Sequence, residues 1–299
     1  EAKLIPKVTD FKKEIEEFLV DLGLKKRTSR TIANYKRYLE RFVDLVGISR
    51  IEDISEKSVQ SFVKKLHDFT DRLGEPLTDK TINYHLTALR SFLKFLDKHG
   101  SKSLHYSAIK LIDIGVSKKR EAKSHQIKAL GQAVKKDGSI VEKRDAAIVD
   151  MLTDTGMRVS ELSNLKRDGF DLEKKTVLID RWGEGVHLEL GNKAVSSLAA
   201  YIKARSDNNP HLFVSYDKAA SAKKRAAASN KPLTSRSIQR ILKRYSDKIA
   251  VGYDITPASL RNAAIAKMVA SGADVETVTK KMGFKNKRSA QATIKNLPR

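Results

Sequence analysis

Two stretches decide how this chain folds: residues 254–299, DITPASLRNAAIAKMVASGADVETVTKKMGFKNKRSAQATIKNLPR, and residues 153–165, TDTGMRVSELSNL. Each holds one arginine in a compact block, Arg158 in TGMRVSEL and Arg261 in TPASLR. Ala146, Ile148, Val149, Met151 and Leu152 give the run before the first block a helical pattern, and a short helix is expected from about Arg158 to Leu165. The second block leads into another helical stretch, ASGADVETVTKKMGF. Between the blocks, which lie about 100 residues apart, KTVLIDRWGEGVHLEL alternates around Gly183-Glu184-Gly185 and predicts two short strands. A turn is expected over Asp168 to Asp171, and a helix over residues 192–205.

Upstream the pattern is wholly helical. Phe11, Ile15, Phe18 and Leu22 recur at three- and four-residue steps behind Thr9 and Asp10, and Gly23 ends that helix. Thr28 and Ser29 open a second helix with Ile32, Tyr35, Leu39, Phe42 and Val46 on one face and Gly47 as its stop. A shorter helix after Ser55 turns Val59, Phe62, Val63 and Leu66 inward, and a fourth, closed by Gly100, uses Ile82, Leu86, Leu89, Leu93 and Leu96. Periodicity fades over residues 101–125, which end in a run of charge. We therefore expect domains at residues 1–115 and 125–299, joined by a basic linker at 116–124 whose flexibility would suit a chain that wraps its partner.

Composition points to a polyanion. The chain has 299 residues, a formal net charge of +23 and a pI near 9.9. Such a surface releases counterions from nucleic acid on binding, although a merely solvated lysine-rich surface gives the same count. Both halves share the excess, with 26 Lys+Arg against 18 Asp+Glu in residues 1–123 and 33 against 18 in 124–299. Residues 203–248 hold 12 basic side chains against 3 acidic ones. Within them AKKRAAASNKP is expected to be a mobile basic loop, and SRSIQRILKRYSDKI a helix that presents Arg236, Arg240, Lys243 and Arg244 away from its apolar side. Cysteine is absent, and the seven histidines lack metal-site spacing, so no metal or other cofactor is expected. No window reaches 18 uninterrupted apolar residues and the start is charged, which excludes a membrane span and a signal peptide as expectations. The expected location is cytoplasmic, on the nucleoid.

The two blocks, the hairpin between them and the helices TSRTIANYKRYLERF and TINYHLTALRSFLKFL resemble the tyrosine recombinase or integrase family, the Xer-like class, over about residues 10–294. The resemblance implies a mainly α fold with a small antiparallel β-sheet. It would comprise an N-terminal helical SAM-like core-binding domain and a C-terminal domain of the tyrosine-recombinase catalytic type. It also implies duplex DNA as partner, with Lys36, Arg37, Lys80 and Arg90 joining Arg158, Arg261 and the Arg236 to Arg244 group as phosphate contacts.

In that family a tyrosine hydroxyl attacks a DNA phosphate and expels a 5′ oxygen. Two arginines offset the developing charge, a histidine moves protons, a hairpin lysine protonates the leaving oxygen, and a further His or Trp bonds the phosphate. By the resemblance, Arg158 and Arg261 match the arginines. Glu184 stands for the lysine, Ala258 for the histidine, Phe284 for the His or Trp and Thr293 for the nucleophile, with Asn262 just after the second arginine. No histidine follows His211 and no tyrosine follows Tyr253, so no shift of alignment supplies either. The expected function is therefore DNA binding without strand cleavage, for site recognition, DNA architecture or regulation. The alternatives are an active recombinase or topoisomerase-like nicking enzyme with another nucleophile, and an inactive subunit that joins an active recombinase in a mixed assembly; besides DNA, the expected protein partners are a second copy or an active recombinase. Six residues follow Thr293, so assembly by exchange of a terminal helix is not expected. Arg158 and Arg261 themselves carry two readings, phosphate ligands or ion-pair partners of Glu161 or Glu184.

Overall fold

A computed structural model of the chain describes residues 11–71, 74–115, 119–134, 138–216, 232–249 and 255–298. They group into two compact units, residues 1–115 and 116–299. The expected loop AKKRAAASNKP lies, apart from Pro232, outside the described residues.

The first unit consists of helices α1 (Phe11–Leu24), α2 (Ser29–Val46), α3 (Glu56–His67) and α4 (Asp79–Lys98). Their starts follow from side-chain oxygens that take up otherwise unpaired amides. Thr28 Oγ1 accepts from the Thr31 amide at 3.2 Å, Thr78 Oγ1 from that of Thr81 at 3.3 Å, and Ser55 and Ser58 cap each other. The apolar steps meet in an aromatic core: Phe92 of α4 lies 5.5 Å from Phe11 and 5.6 Å from Phe18, and Phe42 packs edge-on to Phe62 at 4.9 Å. Each such buried ring is worth about 1.5–3 kcal/mol relative to exposure. Residues beyond α4 do not leave this core at once. Ile109 is buried, and the Asn83 side chain both donates to the Ile112 carbonyl and accepts from its amide, each at 2.8 Å.

The second unit holds α5 (Ser124–Ala133), α6 (Ile140–Thr155), α7 (Val159–Asn164), strands β1 (Phe170–Asp171), β2 (Thr176–Arg181) and β3 (Glu184–Glu189), then α8 (Asn192–Lys203), α9 (Ser235–Ile249), α10 (Pro257–Ala270), α11 (Val275–Lys281) and α12 (Lys287–Lys295). The strands form one antiparallel sheet in the order β1-β2-β3. Asp168 to Asp171, expected to be a turn, includes the two-residue edge strand β1, paired through Phe170 with Val177. The hairpin turn also differs from expectation. Trp182 and Gly183, both at positive φ (63° and 88°), make a two-residue turn, so Glu184 opens β3 opposite Arg181 instead of sitting within a glycine loop. The core lies between α6, α8, α9 and the inner face of the sheet, where Val177 and Ile179 are buried and so is Arg181. Among the described residues no helix is long and apolar enough to cross a membrane.

Residues 119–123, read from sequence as linker, run along this second unit. The Lys119 amide donates to the Asn296 carbonyl at 2.9 Å and the Ala122 amide to that of Ser259 at 3.1 Å, with Ala122 itself buried.

Candidate functional site

Gly156 ends α6 in the left-handed conformation (φ 59°), and a Cβ there would sit 2.7 Å from that of Ala264 on α10. The close approach brings the start of α7 against α10, and with it the two arginines of the sequence blocks. Arg158 is the residue before α7. Its amide donates to Glu161 Oε2 at 2.8 Å, its Nη1 to Glu161 Oε1 at 2.8 Å, and its Nη2 to the Gly283 carbonyl at 2.5 Å. Arg261, on the first turns of α10, donates to the Gly156 carbonyl at 2.8 Å and to the Met282 carbonyl.

A third arginine completes the cluster. Arg181 ends β2 on its inward face, 7 % exposed, and donates through Nε to Glu161 Oε1 at 3.2 Å and through Nη1 to the Lys281 carbonyl at 2.8 Å. Its Nη2 is buried without a hydrogen-bond partner. Gly283, at φ 59°, makes room for it, since a Cβ there would come within 2.6 Å of Arg181 Nε. Arg158 and Arg181 thus share one carboxylate, Glu161, beside Arg261, which bonds only backbone carbonyls. Burial, reinforced by Arg158 and Arg181 and opposed by Glu161, pushes Arg261 down to about 10.

Beside this cluster lies a pocket of about 380 Å³ bordered by Lys119, Arg120, Thr256, Ala258, Ser259, Arg261, Asn262, Ile265, Phe284 and Thr293. The structure therefore places Ala258, Arg261, Phe284 and Thr293 around one pocket. Thr293 is buried on α12. Its hydroxyl donates to the Ser289 carbonyl at 3.0 Å and accepts from Lys119 Nζ at 2.7 Å. The Phe284 ring lies 5.2 Å from the Arg261 guanidinium, a contact that stabilises the cation but offers a phosphate no hydrogen bond. Trp182 caps Arg158 in the same way at 5.6 Å and is 68 % exposed.

Glu184 does not belong to the cluster. It is exposed, and among the described residues it forms no ion pair; of the two carboxylates expected as partners, Glu161 pairs with Arg158, and Arg261 pairs with neither. The physical reason is the two-residue turn, which starts β3 at Glu184 and leaves its carboxylate in solvent.

The remaining expected contacts are scattered over exposed helix faces. Lys36 stands 3.8 Å from Glu40, Arg37 bonds Asn34 at 3.1 Å, and Lys80 and Arg90 are exposed on α4. Arg236 and Arg240 are exposed on α9, where Lys243 pairs with Asp247 at 3.1 Å. Arg244 differs from them in pairing with fully buried Asp145, which also accepts from Arg144 at 2.7 Å. A carboxylate with no access to water needs such partners.

Sequence reasoning missed Arg181 and Lys119. The first had a signal, because Val177, Ile179 and Arg181 share the parity that faces inward along β2. Lys119 had none, lying in a run of charge 174 residues before its partner.

The chain matches the phage integrase family over residues 121–296 and that family's N-terminal SAM-like domain over residues 15–100. Among similar proteins, tyrosine recombinase XerA of Thermococcus kodakarensis is 26 % identical over 94 % of this chain and 90 % of its own length. XerA of Pyrococcus horikoshii is 29 % identical over 94 % and 88 %, and XerC of Bacillus subtilis 28 % over 93 % and 90 %. Two solved structures share the fold: the Tn1549 transposon integrase in complex with transposon right-end DNA (TM-score 0.74, 14 % identity, 97 % of this chain and 95 % of that one) and XerH bound to its difH substrate (0.68, 18 %, 88 % and 76 %). A model match over more than half the chain, in a span that includes the blocks holding Arg158 and Arg261, makes this protein a member of the phage integrase family, with Xer tyrosine recombinases among its relatives.

Proposed function

We propose that the chain binds duplex DNA through both units, residues 1–115 and 125–299 with 116–124 leading into the second, and does not itself cleave strands. The observation that carries this reading is the state of Thr293. A threonine hydroxyl is a weak nucleophile unless a base takes its proton. Here that proton is directed at the Ser289 carbonyl, and the neighbouring Lys119 ammonium donates to the oxygen and takes nothing from it. Neither a histidine nor a tyrosine borders the pocket among the described residues. Arg158 and Arg261 supply charge for a phosphate, which binding needs, without the proton transfers that bond breaking needs. Lys36, Arg37, Lys80, Arg90, Arg236, Arg240 and Lys243 extend the cationic surface along the backbone of the duplex. The family's solved members in complex with DNA support the same partner. On this reading the protein resides on cytoplasmic, nucleoid DNA, and genome-wide mapping of its positions would separate site recognition from general coating.

One observation favours a second reading. Lys119 Nζ lies 2.7 Å from Thr293 Oγ1, so a neutral Lys119 would be placed to take the hydroxyl proton. Burial, and then Arg261, lower the pKa of Lys119 from its ordinary value.

A suicide duplex, nicked so that a covalent intermediate cannot religate, decides between the two. The expected result is salt-sensitive binding without a detergent-resistant protein–DNA adduct, also in Glu184→Lys. An adduct mapped to Thr293 would overturn the proposal, as would affinity that does not change with salt.

A further inference from the structure

We propose that Lys119 is a DNA-phosphate ligand of the same site, a cation delivered by the strand of chain that leads into α5 and not by the hairpin. The inference rests on the DNA-binding reading above. Three bonds fix the segment on the floor of the pocket: Lys119 amide to Asn296 carbonyl at 2.9 Å, Ala122 amide to Ser259 carbonyl at 3.1 Å, and Asn262 Nδ2 to the Arg120 carbonyl at 2.7 Å. With the backbone held, the Lys119 side chain reaches the pocket and meets Thr293 Oγ1. That hydroxyl satisfies one N–H but leaves the charge unbalanced. The pocket is bordered by three cations, Lys119, Arg120 and Arg261, and by no carboxylate.

The site is thus short of an anion. Desolvation, with Arg261 second, already holds the lysine pKa below its ordinary value, which is the electrostatic cost of an unmatched cation there. A phosphodiester held by Arg261 would supply the missing charge and accept the ammonium's remaining N–H groups. Glu184, at the position where the family's lysine stands, is exposed and of the wrong sign. Lys119 therefore restores to the site a positive charge that the hairpin no longer provides.

The test measures affinity for a mixed-sequence duplex against salt concentration for the wild type, Lys119→Gln and Arg261→Gln. Each phosphate contact contributes about 0.9 to the slope of log affinity against log salt, so Lys119→Gln is expected to flatten it by about 0.9 and to weaken binding about eightfold at 0.1 M. Arg261→Gln is expected to weaken binding as well. Unchanged binding in both variants would remove the DNA-binding reading of the site together with this one. Loss in Arg261→Gln alone would remove only the role of Lys119, and loss in Lys119→Gln alone would place that lysine at a different phosphate and equally overturn the inference. Should Lys119→Gln fail to fold, amine-reactive labelling of the wild type decides the matter. Protection of Lys119 by the duplex is expected, and labelling that the duplex leaves unchanged refutes it.

Discussion

Replacing Glu161 by glutamine isolates the charge that holds the arginine cluster together. The two side chains have the same shape, so no cavity opens, and only the negative charge and one acceptor are lost. Glu161 is 6 % exposed at its side chain and receives three donors: the Arg158 amide and Nη1, each at 2.8 Å, and Arg181 Nε at 3.2 Å. A glutamine amide turns its NH2 toward at least one of them. Removing one partner of a buried pair costs about 3–5 kcal/mol, because the other charge is left unpaired out of water. Arg158 is 31 % exposed and can recover hydration, whereas Arg181, at 6 %, cannot. The lower end, about 3 kcal/mol, is therefore expected. For a unit of this size that is about 6–12 °C in melting temperature. Trp182, the chain's single tryptophan, lies in the second unit, so its fluorescence during urea unfolding reports that unit alone. Inorganic phosphate should stabilise the wild type, whose cluster already carries surplus positive charge, and recover more of the loss in Glu161→Gln, since an anion bound only by the folded state stabilises it by mass action. A loss below about 1 kcal/mol, the value of an exposed pair, would show that the cluster is solvated and would refute this account.

Two further perturbations test the fold around the site and in the first unit. Gly283→Ala should cost about 1–2 kcal/mol for a left-handed backbone and about 1–3 more for the clash with Arg181. In an Arg181→Ala background only the first part should remain, and equal costs in the two backgrounds would show that Arg181 does not depend on the glycine. His85 is buried, with Nδ1–H donating to the Thr81 carbonyl at 2.9 Å and Nε2 accepting from Arg41 at 3.1 Å, and burial pushes it down to about 4. Its folded value lies below the unfolded one, so the unfolded chain binds the extra proton. The contribution is therefore complete above about pH 6.5 and is lost as pH falls toward 4, by up to about 3 kcal/mol. Urea midpoints at neutral and mildly acidic pH measure it for the first unit, and a His85→Gln variant that keeps the same pH dependence would refute the assignment.

The parts legible in the sequence are those that local periodicity dictates. Phe11, Ile15, Phe18 and Leu22 are all buried, as their spacing required, and Thr28 and Ser55 cap the helices they were expected to open. Arg158 and Arg261 were legible because each sits in a block whose neighbours are themselves diagnostic. What local pattern could not give is the identity of partners distant in sequence. Arg244 reads as one more exposed cation on α9, yet its partner Asp145 lies 99 residues away. Lys119 reads as solvated charge, yet its backbone follows α12 and α10. Glu184 was a plausible partner for the arginines by charge alone, and only the register of a two-residue turn, set by positive φ at Trp182, puts it out of reach.

That register also bears on the two readings of Arg158 and Arg261, which the geometry makes compatible. A structural role asks for hydrogen bonds, and the carbonyls of Gly156, Met282 and Gly283 accept them from one edge of each guanidinium. It does not ask for net charge. Three arginines at +3 against Glu161 at −1 leave +2 in a partly buried cluster, and unmatched charge there costs stability. The Nε groups of Arg158 and Arg261 carry no hydrogen bond among the described residues, and Arg181 Nη2 is buried and unpaired. A cluster built only to join α7, α10 and α11 would gain by replacing Arg181 with an apolar residue. Keeping it is favourable when an anion is present for part of the time, because the bound state then recovers what the free state loses. The bonds to carbonyls fix where the guanidiniums stand, and the surplus charge is what a phosphate would bind.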